Sequence, residues 1–173
     1  PVAVAAPAAL VLIGGGSTRD KEPEAANELL LQAAVGTKSI VAEISNIPFQ
    51  PLNYVGDEKD DRTEDDIIAY GWRKYMEGGA KDEDVEWLAR LPMTRAVVRA
   101  MDVIQEIGAD ISKPVDGFVV AGASKRGWTT WTTAVVDDRV IAIVPVVIDM
   151  LNVVPSFNHH WRCYGDWSPA IND

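Results

Sequence analysis

The stretch Phe118-Val-Val-Ala-Gly-Ala-Ser-Lys-Arg-Gly-Trp128 decides how the chain is read. An unbroken apolar run of strand length meets Gly122-Ala-Ser-Lys-Arg-Gly127, with small residues just before Ser124, and then passes into a helical stretch. A strand that runs so abruptly into a helix needs small residues at the corner, because the two backbones approach closely there.

The rest of the chain repeats this grammar. Apolar runs at 8–13, 39–44, 117–121 and 140–148 alternate with stretches of helical period, the pattern of strand–helix–strand units around a buried parallel sheet. The first two runs read as buried on both faces. The fourth carries Pro145, expected near its end or at an irregularity. Residues 24–35 read as a helix closed by Gly36. About seventy residues separate the second run from the third, too many for a bare loop, and hold two further helices. One, at 63–76, opens on the acids Glu64, Asp65 and Asp66, suited to a helix N-terminus. The other spans 82–107, with apolar positions at Val85, Leu88, Leu91, Val97, Met101 and Ile104, and is split or kinked at Pro92. Residues 45–66, rich in Pro, Asn and Asp, read as a loop. Its segment 57–66 holds seven acids against two bases, lacks the glycine and terminal Glu of a calcium loop, and reads as solvated with no metal. Residues 150–173 read as the start of a lid-like region.

Composition removes several classes of function. With 47% hydrophobic and 24% charged residues, the 173-residue chain can bury one core. A net charge of −10 with no Lys/Arg cluster argues against nucleic acid as a partner. No apolar run reaches the roughly 18 residues of a membrane helix. Residues 1–9 do not read as a signal peptide. The single cysteine, Cys163, excludes an intrachain disulfide and a Cys-based zinc site, and reads as a small apolar filler. No cofactor is expected: Gly14-x-Gly16 fails as a dinucleotide fingerprint because Arg19 stands where a third glycine belongs, and it lacks the Gly-Lys-Ser/Thr of a phosphate loop.

In α/β-hydrolases a nucleophile sits on such a strand-to-helix turn, usually as G-x-S-x-G. Gly122 stands two before Ser124, but the second glycine is Gly127, three after it, with Arg126 in the usual glycine position. This Ser-x-x-Gly spacing resembles the elbow of glucuronoyl esterase-like proteins, which also place a basic residue after the serine, as Lys125 does here. The Lys125 N–H would be one oxyanion donor, with its ammonium adding to the field. Gly15 and Gly16, in the loop after the first strand, stand where a second donor is sought, though a plain tight turn explains them equally. Asp149, after the strand that succeeds the elbow helix, is a candidate for the acid of a triad or for a helix N-cap. His159 and His160 come too soon after Asp149 for the usual order of serine, acid and histidine, which points to a base beyond Asp173. Trp128, Trp161 and Trp167 are candidate pocket walls, with packing the commoner role for a tryptophan. The bland alternative to the whole constellation is a Gly-rich turn with an unreactive serine.

Five separated blocks carry a wider resemblance: Ile47-Pro-Phe-Gln-Pro-Leu52, Arg62-Thr-Glu-Asp-Asp-Ile-Ile-Ala-Tyr70, Leu91-Pro-Met-Thr-Arg-Ala-Val-Val-Arg-Ala-Met-Asp102, Gly122-Ala-Ser-Lys-Arg-Gly-Trp-Thr-Thr-Trp131 and Val144-Pro-Val-Val-Ile-Asp-Met-Leu-Asn152. Together they resemble the PhoPQ-activated pathogenicity-related family, which includes autocrine proliferation repressor proteins. The resemblance implies an α/β-hydrolase fold, here an internal fragment of a single domain, with a mostly parallel sheet in the order 4-3-5-6 and helices on both faces. It also implies export to the periplasm or the cell exterior and links to virulence. The activity expected is that of a serine hydrolase acting on an ester or amide of a small molecule or peptide. The alternative is a non-catalytic binding or signalling protein on the same scaffold. A fragment with bare sheet edges is expected to self-associate and, without its histidine, to be inactive.

Overall fold

The computed structural model describes residues 7–148 and 152–169. Nine regular elements follow one another: β1 Ala8–Ile13, α1 Glu28–Thr37, β2 Val41–Ile44, α2 Glu64–Glu77, α3 Arg90–Asp110, β3 Gly117–Ala123, α4 Lys125–Val136, β4 Val140–Val146 and α5 Val153–Tyr164. A 3-10 turn at Asp82–Trp87 precedes α3.

The four strands form one parallel sheet in the order β2-β1-β3-β4. The chain therefore winds outward in one direction from β1 to β2 and in the other from β3 to β4. Sheets of this kind open a crevice beyond the carboxyl ends of the two central strands, where the winding reverses.

Alternation along the strands decides which face is sealed. Ala9, Val11 and Ile13 of β1, with Phe118 and Val120 of β3, meet Val97, Met101 and Ile104 of α3 in the main core. Fully burying side chains of this size contributes about 1.5–3 kcal/mol each, which fixes α3 to the sheet. On the opposite face α1 packs on β2. There Leu10 and Leu12 are only half-buried, so β1 is sealed on one face, not on both. The edge strand β4 is apolar throughout, yet Ile141 and Val144 are 59% and 46% exposed. An apolar run alone does not reveal which face lacks a cover.

Local differences from the sequence reading have local causes. Helix α1 runs past Gly36 and ends at Lys38, which takes the left-handed φ of 56° itself. The break before α3 precedes Pro92, which sits in the helix's first turn, where backbone N–H groups have no intrahelical acceptor. Pro145 lies one residue from the end of β4, at the sheet edge, where a missing donor costs no ladder bond.

Segment 57–66 is mostly exposed and leads into α2, but it is organised around one buried cation. Arg62 is 2% exposed, and its guanidinium binds the Asp57 and Asp66 carboxylates and lies 4.3 Å above the Tyr70 ring. Two of the seven acids thus serve a buried cation, and the remainder face solvent or neighbouring elements.

Candidate functional site

Ser124 sits at the corner between β3 and α4 with φ 54° and ψ −125°. This backbone region is costly for any residue with a Cβ, by about 1–3 kcal/mol, and persists only when the surroundings enforce it. Here the enforcement is visible. The Ser124 N–H donates to the carbonyl of Val146 at the end of β4, 2.8 Å away, and the Ser124 carbonyl accepts from Trp128 N–H in the first turn of α4.

Two glycines let the corner close. A Cβ on Gly122 would lie 2.6 Å from the Arg126 carbonyl oxygen, and one on Gly127 would lie 2.6 Å from Ile148 Cγ2 and 3.0 Å from the Gly122 oxygen. Gly127 is thus required by contact of α4 with the neighbouring chain at the end of β4. The position two after the serine tolerates Arg126, whose side chain leaves the corner toward β1.

The polar groups of the corner are tied to α2. Glu64, the first residue of α2, itself has a positive φ of 52°. Its Oε2 lies 2.5 Å from Lys125 Nζ, and its Oε1 accepts from Arg126 Nη2 at 2.6 Å and from Gln50 Nε2 at 2.8 Å. Gln50 closes the ring by accepting from the Glu64 N–H and donating to the Gly16 carbonyl. Arg126 Nε also donates to the Ile47 carbonyl at 2.5 Å. Burial pushes the Glu64 carboxyl up, but the hydrogen bonds from Lys125, Gln50 and Arg126 outweigh it and hold the group at about 2.

Beside Ser124 lies a cavity of about 220 Å³, walled by Ile68, Trp72, Trp128, Ile148 and Phe157, with Asp65, Arg90 and Lys125 at its polar side. The Arg90 guanidinium lies 3.9 Å over the Trp128 ring and donates to the Lys125 carbonyl at 2.5 Å. Burial pushes it down to about 10, against the pull of Asp65.

The full length of the chain, residues 1–173, matches the family model described as PhoPQ-activated pathogenicity-related protein. The chain belongs to this family. It is also similar to autocrine proliferation repressor protein A of Dictyostelium discoideum, with 42% identity over 174 residues, covering 100% of this chain and 34% of that protein. The chain thus spans about a third of the length of the curated relative it matches. No solved structure matches it.

In this family member the residues singled out from sequence are only partly brought together. Ser124, Lys125 and Trp128 share the 220 Å³ cavity. The Lys125 ammonium does not add to the field at Ser124 as a free charge: it is buried and held between Glu64 and Asp65, whose Oδ1 is 3.1 Å away. Gly15 and Gly16 line a different, larger cavity with Asp20, Asn27 and Glu43, and the Arg126 guanidinium lies against Gly15, where a Cβ would come within 2.8 Å of Nη2. Asp149 lies outside the described residues.

Helix α5 carries the remaining candidates. His160 stacks on Trp167 at 5.8 Å and packs on Tyr164, while His159 Nε2 lies 3.4 Å from Cys163 Sγ. Neither histidine lines the Ser124 cavity, nor do Trp161 and Trp167. Cys163 is exposed and fills no core. Trp167 instead walls a small cavity of about 210 Å³ with His160 and Phe157.

Four residues of the site carried no functional signal in the sequence. Glu64 and Asp65 read as ordinary N-terminal acids of a helix, Trp72 as amphipathic packing, and Arg90 as an unremarked position inside the helix read at 82–107. Their place beside Ser124 follows from the first turns of α2 and α3 both meeting the start of α4, which no local pattern encodes. Among the described residues no helix is long and apolar enough to cross a membrane.

Proposed function

We propose that the chain carries the nucleophile corner of a serine hydrolase of the α/β-hydrolase type, acting on an ester or amide. The observation that carries this reading is the strained φ/ψ of Ser124 at the carboxyl end of a central strand, beside a walled cavity. Strain of this kind clusters at functional sites, and here it falls on the residue that follows a central strand, at the point where the winding reverses. In this reading Ser124 Oγ attacks the substrate carbonyl carbon and its proton passes to a general base. The alcohol or amine leaves with that proton, and water then hydrolyses the acyl-serine. The Lys125 N–H, in the first turn of α4 and without an intrahelical acceptor, faces the developing oxyanion, aided by the positive end of α4.

The described residues bring no imidazole to Ser124, so the base belongs, in this proposal, to the part of the protein outside this chain, with Asp149 as its orienting acid. A fluorophosphonate probe on the intact protein tests the reading. Labelling that disappears in Ser124→Ala is expected; labelling that persists there would end it.

A second reading, a non-catalytic regulatory protein on the same scaffold, is favoured by the name of the relative, a proliferation repressor. It predicts that the intact protein neither takes the probe nor turns over simple acyl esters, while Ser124→Ala keeps full biological effect.

A further inference from the structure

Three cations surround Ser124, and two of them are spent on internal contacts. Lys125 is clamped by Glu64 and Asp65, and Arg126 by Glu64 and the Ile47 carbonyl. Arg90 differs. Among the described residues it forms one hydrogen bond, to the Lys125 carbonyl, and rests on the Trp128 ring. Its Nε is buried with no hydrogen-bond partner, and no carboxylate among the described residues stands within ion-pair distance of it. Asp65 influences it only through space. Among the described side chains of the corner, Arg90, Lys125 and Arg126 stand against Glu64 and Asp65, one cation more than there are carboxylates.

A guanidinium taken out of water without an ionic partner is costly, and a ligand carboxylate at that place recovers the cost. The walls beside it are apolar: Ile68, Trp72 and Phe157. A cavity of about 220 Å³ has room for a short stem and a small head.

We propose that Arg90 is the specificity-determining residue of this cavity, selecting esters or amides whose acyl chain ends in a carboxylate on a short apolar stem. The substrate class rests on the reading of Ser124 as nucleophile; the anion site itself does not.

The test uses the intact protein and two chromogenic esters of equal chain length, the 4-nitrophenyl half-ester of adipic acid and 4-nitrophenyl hexanoate. The expected result is a higher kcat/KM for the half-ester. Arg90→Gln should lower the ratio of the two kcat/KM values by roughly 10- to 100-fold, the range for losing a charged hydrogen bond, mainly through KM. Arg90→Lys should restore part of it. Wild-type preference for the neutral ester, or a ratio unchanged in Arg90→Gln, would overturn the proposal.

A second measurement needs no catalysis. Monomethyl adipate is titrated into the Ser124→Ala protein by calorimetry, against the Ser124→Ala/Arg90→Gln protein. Saturable binding weakened at least about tenfold by the second change supports the anion site even if no probe ever labels Ser124. No binding, or equal binding by both, refutes it even if esters are hydrolysed.

Discussion

Arg126 Nη2 lies 2.6 Å from Glu64 Oε1, and this contact joins the first turn of α4 to the first turn of α2. Through the same guanidinium the corner reaches the Ile47 carbonyl in the loop before α2. Three segments that are distant in sequence are thereby held around one serine.

The Glu64 carboxyl, held at about 2 against an ordinary value of 4.5, makes stability fall with acid. A depressed carboxyl contributes its full stabilisation above about 4.5 and loses it as pH drops through the folded value near 2. Asp57, also held at about 2 by its hydrogen bonds from Arg62, acts in the same direction. Chemical denaturation between pH 6 and 2.5 should therefore show a decline that is shallower in Glu64→Gln. Because Glu64 is partly exposed, solvent screening reduces the effect below what its shift alone suggests. An identical acid limb in the variant would exclude this role.

Glycine should be preferred to alanine at position 124. A φ of 54° with ψ −125° strains any residue that has a Cβ, so Ser124→Gly relieves what Ser124→Ala retains. Thermal melts should place the glycine variant about 1 kcal/mol above the alanine variant, the reverse of the order at an ordinary ordered position. A more stable alanine variant would mean the corner is relaxed.

Gly122→Ala should lower stability by about 1–3 kcal/mol or more, because its Cβ meets a backbone oxygen at 2.6 Å and no side-chain rotation clears it. Circular dichroism melts of this variant beside Gly36→Ala, where a Cβ meets nothing within 4 Å, give the contrast. Equal melting temperatures would contradict the close approach of α4.

Arg62→Ala should be the most damaging of these changes, costing about 3–5 kcal/mol by leaving Asp57 and Asp66 without their buried cation and removing the cover from Tyr70. Arg62→Lys should recover little of this, since one ammonium cannot reproduce the fork that meets two carboxylates at once. Urea titration of both variants decides the matter.

The elements that were legible before any coordinates are those fixed by local chemistry. β1 was read at its observed bounds because six apolar residues run into three glycines, and α2 within a residue because its acids cluster at one end. Threonine is a weak helix former, and α4 holds Thr129, Thr130 and Thr133. In place, all three are fully buried, and their hydroxyls donate to carbonyls three or four residues back in α4, so polar residues line a core contact without an unmet donor. Of the site, Ser124 was legible because strand, small residues and helix are contiguous. Glu64 and Arg90 were not, because what gives them meaning is their contact with the start of α4, 60 and 34 residues away from Ser124 in sequence.

The placement of Gly127 has a consequence for how such corners are recognised. Its lack of a side chain answers to the surface of the adjoining strand, whereas the interval from the serine is a by-product of where that strand happens to touch the helix. A pattern written as a fixed count between hydroxyl and glycine passes over this chain. One written as a distance to the next strand would admit it, and would free the intervening position for a residue such as Arg126 that binds the corner to its neighbours.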